Sequence, residues 1–110
     1  MIPMPRLNLT FTTGLILQAI ATGHCYGFQI MGATGLPGGT VYPALRRLEG
    51  AGILSSAWEE MDRAAEDGRP TRRYYQLTPS GIELLGEARA RFKGIQWAFG
   101  PDAIPSAGEA

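Results

Sequence analysis

Two groups of arginines hold most of the chemistry this sequence could direct at a charged partner. Arg46 and Arg47 form a pair, and Arg69, Arg72 and Arg73 form a second cluster. A guanidinium is a planar fork of donors that fits guanine O6 and N7 or clamps a phosphate. Arg46 stands one helical turn from Tyr42 and Pro43, so a helix here would present all three on one side. Tyr42 could then offer its hydroxyl to a sugar–phosphate backbone or its ring to a thymine methyl. Arg47 falls nearer the helix flank and suits a phosphate. Gly39 and Thr40 stand at the start of the same segment, where free N–H groups and a hydroxyl suit an anion. Each group also has a plainer role: a solvated Arg46, a half-core Tyr42, a Thr40 that caps its own helix, and a solubilising Arg69–Arg72–Arg73 cluster.

Other chemistries find no footing. His24 is the single histidine and Cys25 the single cysteine, so four zinc ligands cannot be assembled from them. The same scarcity leaves no Ser-His-Asp or Cys-His-Asn set, and Gly35 to Gly39 lacks the lysine of a phosphate-binding loop. No enzyme, metal or cofactor is expected. Formal net charge is zero, which argues against indiscriminate coating of nucleic acid. The charge is segregated, however. Glu59, Glu60, Asp62, Glu66 and Asp67 separate the two arginine groups, and they should point away from a polyanion or pair with the arginines in its absence. No apolar run reaches the roughly 18 residues of a membrane span, and the start of the chain lacks the order of a secretory signal. A cytoplasmic, folded protein is expected, with Cys25 outside any internal disulfide.

The elements that must position these groups follow from apolar spacing. Residues 9–21 are densely apolar and stop at Thr22-Gly23, as a helix C-terminus would. A short second helix is expected over 26–31, opening at Tyr26 and closing in the glycine-rich stretch 32–39. Over 39–50, Val41, Ala44, Leu45, Leu48 and Ala51 share one face at 100° per residue. Tyr42, Pro43, Arg46 and Gly50 share the opposite face, with Pro43 expected in the first turn, where a missing N–H costs little. Residues 53–60 read as a strand with Leu54 and Trp58 on one side. Residues 61–71 read as a polar loop, and 72–77 as a second strand with Tyr75 and Leu77 on one face. Thr78 and Pro79 suit the N-cap and first position of a last helix. Along it Leu85, Ala88, Phe92, Ile95 and Phe99 alternate at three and four residues, the seam of a coiled-coil-like contact with a second copy. Leu15 of the first helix is assigned to the same interface.

Three helices, a hairpin and a final helix make a mainly α fold with a small β-hairpin (α+β): a winged helix-turn-helix plus a C-terminal dimerisation helix. Its expected parts are a lead-in over 1–8, the DNA-binding domain over 9–81, the dimerisation helix over 78–100 and a tail over 101–110. In such a fold the third helix enters the major groove and the hairpin flanks it, where Arg69, Arg72 or Arg73 could reach the minor groove or the phosphates. Tyr26 falls where the second helix crosses the backbone, with core packing as its alternative.

Longer blocks resemble the PadR family of transcriptional regulators. They are His24-Cys25-Tyr26-Gly27-Phe28-Gln29-Ile30, then Gly39-Thr40-Val41-Tyr42-Pro43-Ala44-Leu45-Arg46-Arg47-Leu48-Glu49. Gly52-Ile53-Leu54, Trp58 and Arg72-Arg73-Tyr74-Tyr75-Gln76-Leu77-Thr78-Pro79-Ser80-Gly81 follow in the family's order. Cys25 and Gln29 depart from the glycine and glutamate usual there. The resemblance implies a homodimer on a palindromic, inverted-repeat operator in double-stranded DNA, usually as a repressor, released in some members by a small molecule. The short C-terminal part is similar to the small branch of the family with a single dimerisation helix. Trp97 is expected as an interface anchor or, more sharply, as one wall of a cavity for a small aromatic effector. A winged helix that docks a protein and never touches DNA is the rival assignment.

Overall fold

The computed structural model describes residues 9–101, so the expected lead-in over 1–8 and all but the first residue of the expected tail lie outside the described residues. Helix α1 (Phe11–Ala21) is the centre of the molecule. Thr10 caps it by accepting the Thr13 N–H at 3.1 Å, and Thr22-Gly23 ends it with Gly23 at φ +102°. Ile16, Leu17, Ala19, Ile20 and Ala21 are almost wholly buried, as a helix surrounded on most sides must be. Helix α2 (Gly27–Thr34) runs a full turn beyond the expected end. Gly32 is accommodated inside it, and the stop comes from Gly35 in the left-handed region at φ +76°.

Helix α3 (Gly38–Gly50) buries Val41, Ala44, Leu45 and Leu48, four of the five residues assigned to its apolar face. Ala51 is exposed, because it is the C-cap rather than a helical position. Two further expectations are corrected. The helix starts at Gly38 with Pro37 as N-cap, so Pro43 is its sixth residue and lies beyond the first turn, where it removes the bond to the Gly39 carbonyl. Thr40 does not cap the helix; its amide bonds the Pro37 carbonyl at 2.9 Å.

Strands β1 (Leu54–Trp58) and β2 (Arg73–Leu77) pair antiparallel, with Leu54 opposite Leu77, Ser56 opposite Tyr75 and Trp58 opposite Arg73. Leu54 and Tyr75 face the core, while Trp58, on the same side of its strand, projects past the core edge and is exposed. The stretch expected as a loop contains a helix, α4 (Met61–Glu66), which buries Ala64. Its six residues are too few for an apolar period to show in the sequence.

Helix α5 (Pro79–Arg91) opens as its residues require. Thr78 accepts the Gly81 N–H at 3.1 Å and donates to the Gly52 carbonyl at 2.6 Å, and Pro79 fills the first turn. Gly81 lies so close to the Ile53 carbonyl that a Cβ there would collide with it.

The end of the chain departs most from expectation. The helix stops at Arg91; Gly94 at φ +97° turns the chain, and Ile95–Trp97 form a single 3-10 turn. Gln18, buried on α1, holds this return by donating to the carbonyls of Gln96 (3.3 Å) and Ala98 (3.2 Å), while Arg89 Nε donates to its Oε1 at 2.9 Å. Leu85, Ala88 and Ile95 are thereby buried within their own subunit, and Phe99 packs half-buried on the same core. The seam expected to meet a second copy is thus largely occupied by α1 of the same chain. Leu15 and Phe92 keep partial exposure, and Phe92 meets the exposed Phe11 edge-on at 5.7 Å.

Candidate nucleic-acid interface

Burial of the Val41–Leu48 stripe fixes which side of α3 faces outward. Tyr42, Pro43, Arg46 and Arg47 are all exposed there. The side chains of Arg46 and Arg47 have no hydrogen bond or ion pair among the described residues, so both forks of donors are available. Tyr42 is 44% exposed, yet the hydroxyl end of its ring lies directly against Gly27 at the start of α2, where any Cβ would overlap it. The ring is therefore held in one place while it stays partly exposed. At the start of α3, the Pro37 carbonyl takes the amides of Thr40 and Val41, leaving those of Gly38 and Gly39 as the helix's donors without a partner among the described residues.

The three arginines of the hairpin have three different surroundings. Arg69 is committed internally. Its guanidinium grips Glu59 through both terminal nitrogens at 2.6 and 2.7 Å, and also meets Asp67 at 3.0 Å. The Glu59 carboxylate further accepts the Arg72 amide and the Tyr74 hydroxyl, both at 3.2 Å. Hydrogen bonds from Arg69 first, then from Arg72 N–H and Tyr74, hold this carboxyl down at about 2. The pair closes the base of the α4 excursion, so Arg69 braces the wing.

The Arg72 guanidinium carbon lies over the Tyr26 ring, 4.2 Å from its centroid, and Tyr26 stands edge-on to Tyr74 at 5.6 Å. Tyr26 thereby joins α2 to the wing instead of entering the core. A hydrogen bond from the Tyr75 amide to the Cys25 carbonyl at 2.7 Å strengthens that joint. Arg73 reaches toward α3, pairing with Glu49 at 3.3 Å and stacking over Trp58 at 5.1 Å. The Ser56 hydroxyl, followed by Arg73, holds Glu49 below the usual carboxylate range.

These contacts bring most of the sequence-assigned residues to one side. Arg46 and Arg73 border a shared depression with Glu49 and Tyr75. Tyr26, Tyr42, Arg69, Arg72 and Arg73 line a neighbouring cavity. Trp97 is separate from them, beside Arg89, Gln96 and Pro101 near the chain's return. The sequence placed Glu59 and Asp67 in an acidic stretch expected to pair with the arginines, as both do with Arg69, but gave Gly27, Glu49 and Trp58 no part at this face. Only Trp58 carried a local signal, as a large aromatic on a strand edge. Among the described residues no cluster of side chains could hold a metal ion, and no helix is long and apolar enough to cross a membrane.

Helix α3 backed by α2, with a two-stranded wing beside it and one face of exposed arginine and tyrosine, is a winged helix-turn-helix. The sequence profile of the transcriptional regulator PadR-like family matches residues 16–87 of the 110, well over half of the chain. The chain belongs to that family. PadR-like proteins are transcriptional regulators rather than enzymes, and the winged helix is their DNA-binding unit. A PadR-like transcription factor from Bacteroides fragilis is similar at 29% identity and a TM-score of 0.57, over 73% of this chain and 79% of that one. A PadR family regulator from Clostridium difficile aligns with a TM-score of 0.65 and 26% identity, over 79% of this chain and 92% of the other. A MepR mutant from S. aureus, solved bound to an oligodeoxyribonucleotide, aligns at 26% identity and a TM-score of 0.56, over 77% of this chain and 56% of that one. No curated protein matches the chain.

Proposed function

We propose that this PadR-like regulator is a dimeric repressor that occludes a promoter by binding an inverted-repeat operator. Each α3 enters a major groove, with Arg46 and Tyr42 on the base edges and Arg47 on a phosphate. The free amides at the start of the helix, at Gly39 with Thr40 beside it, take a second phosphate, and Pro43 packs against the backbone between them. Arg72 and Arg73 at the wing flank the same site, with Arg69 bracing them from behind. The observation that carries the proposal is the contrast among the arginines: Arg46 and Arg47 have no protein partner among the described residues, whereas Arg69 and Arg73 are ion-paired. A relative of the same fold has been solved on an oligodeoxyribonucleotide, which supports the assignment.

Dimerisation uses the side of α1 and α5 that the fold leaves partly open. Phe11 is 52% exposed, with Leu15 one turn on and Phe92 against it; Trp97, 79% exposed, anchors the neighbouring surface. Selection of random duplex DNA by the purified protein tests function and symmetry together. The expected product is an inverted repeat with half-sites roughly 34 Å apart, one helical turn. Failure to enrich any sequence would remove the operator, and enrichment of a lone half-site would remove the dimer.

A further inference from the structure

The outward face of α3 carries a carboxylate where phosphates are expected. At 100° per residue Glu49 falls within about 20° of Tyr42 and one turn from Arg46, so it shares the side proposed to meet DNA. Left bare, it would repel a polyanion, but the wing covers it. Arg73 donates to Oε2 of Glu49 at 3.3 Å, and the Ser56 hydroxyl donates to the same oxygen, leaving Oε1 without a partner among the described residues. Arg46, Glu49 and Arg73 border one depression of about 550 Å³.

Two of the hairpin's ion pairs differ in kind. Arg69 and Glu59 meet through both carboxylate oxygens at 2.6 and 2.7 Å, with the Glu59 side chain only 3% exposed, a geometry that locks. Arg73 offers Glu49 a single long contact between side chains that are 37% and 31% exposed, where water screens the attraction and little stability is gained. Its guanidinium carbon also lies 5.1 Å from the Trp58 ring centroid, a contact that uses no N–H donor. Arg73 can therefore change acceptors without leaving the indole.

We propose that Glu49 is a specificity-determining residue: it stands in for a phosphate on Arg73 and gives that arginine up only to a duplex that α3 has already read. The inference rests on the DNA-reading role proposed above for α3. On random duplex, a phosphate must compete with a carboxylate tethered beside Arg73 and must approach that carboxylate's own charge, so this arginine adds little. On the operator, base contacts from Arg46 and Tyr42 hold the backbone against the wing. They raise the effective concentration of phosphate at Arg73, and the exchange is completed. Glu49 thereby withholds one cation from sequence-independent binding.

The test compares the selected operator with a random duplex of equal length, by fluorescence anisotropy over a range of salt. Glu49→Gln should tighten the random duplex at least fivefold and lower the operator-to-random affinity ratio at least threefold. Its salt slope on random duplex should steepen by about 0.9, the signature of one added phosphate contact. Glu83→Gln, which removes the same charge from an exposed position on α5, should shift neither duplex twofold. Adding Arg73→Gln to Glu49→Gln should take away both the gain and the extra slope. An equal gain on both duplexes, a gain that Glu83→Gln reproduces, or a gain that survives Arg73→Gln would overturn the proposal. So would no gain, or weaker binding to both duplexes, as loss of a structural brace predicts. If the wild type binds operator and random duplex alike, the operator reading fails, and the random-duplex arms still decide whether Glu49 restrains Arg73.

Discussion

Glu59 joins the two ends of the wing more tightly than any other side chain, and its titration makes that role measurable. Its carboxyl sits at about 2 in the folded protein, against an ordinary value of 4.5, because Arg69, the Arg72 amide and Tyr74 all donate to its charged form. A lowered folded value means that its contribution is complete above about 4.5 and fades as pH falls toward about 2. The melting temperature of the wild type should therefore drop across that interval by more than that of Glu59→Gln, and parallel curves would show that the clasp adds nothing. Gly27 offers a second test at the same scale. A methyl group there meets the Tyr42 ring, so Gly27→Ala should cost about 1–3 kcal/mol in urea unfolding, the usual range for overpacking, and should displace Tyr42. Restored stability in Gly27→Ala combined with Tyr42→Ala would confirm that the ring is the obstacle. That the acidic stretch would pair with the wing arginines was legible in the chain, but which carboxylate meets which arginine was not. Glu59 and Arg69 are ten residues apart and Glu49 and Arg73 twenty-four, and only the folded hairpin turns such separations into contacts.

Helix α3 was the most readable element, because a four-residue apolar stripe on an otherwise polar segment permits one orientation. Its consequence is plain: Leu48→Ala should cost about 2–5 kcal/mol, as deletion of a fully buried leucine does, and melt the exposed face with it. The end of the chain was misjudged for a physical reason. A three-four apolar spacing does not say whether the complementary surface belongs to a twin or to another helix of the same chain. Here α1 supplies it, and Gly94, whose φ of +97° suits glycine, was the available sign that the helix would not continue. Close packing at Gly14 records the same contact, since a Cβ would come within 2.9 Å of Ile95 and 3.2 Å of Ala88. At the other end of α5, Gly81→Ala would push a methyl into the Ile53 carbonyl. Because backbone yields less than side chain, the melting temperature should fall further for Gly81→Ala than for Gly14→Ala.

For the whole molecule, zero net charge means that binding to a duplex depends on how charge is arranged rather than on its sum. The acidic residues Glu49 and Glu59 hold arginines in fixed positions, while Arg46 and Arg47 project without a partner among the described residues. The proposed dimer would form on what the core leaves open. Phe11→Glu places a charge on the partly exposed Phe11–Leu15–Phe92 surface and should leave a monomer in sedimentation where the wild type is expected to be a dimer, and an unchanged dimer would relocate the interface. The claim on which the rest depends is that the outward face of α3 reads DNA. Its most direct test is the affinity of the wild type and Arg46→Ala for the selected operator, followed by fluorescence anisotropy at several salt concentrations. A lost bidentate base contact should weaken binding by about 1–3 kcal/mol, roughly 5- to 150-fold, with the dimer intact and discrimination relaxed at one base pair. Equal affinity and equal discrimination in the two proteins would contradict the account.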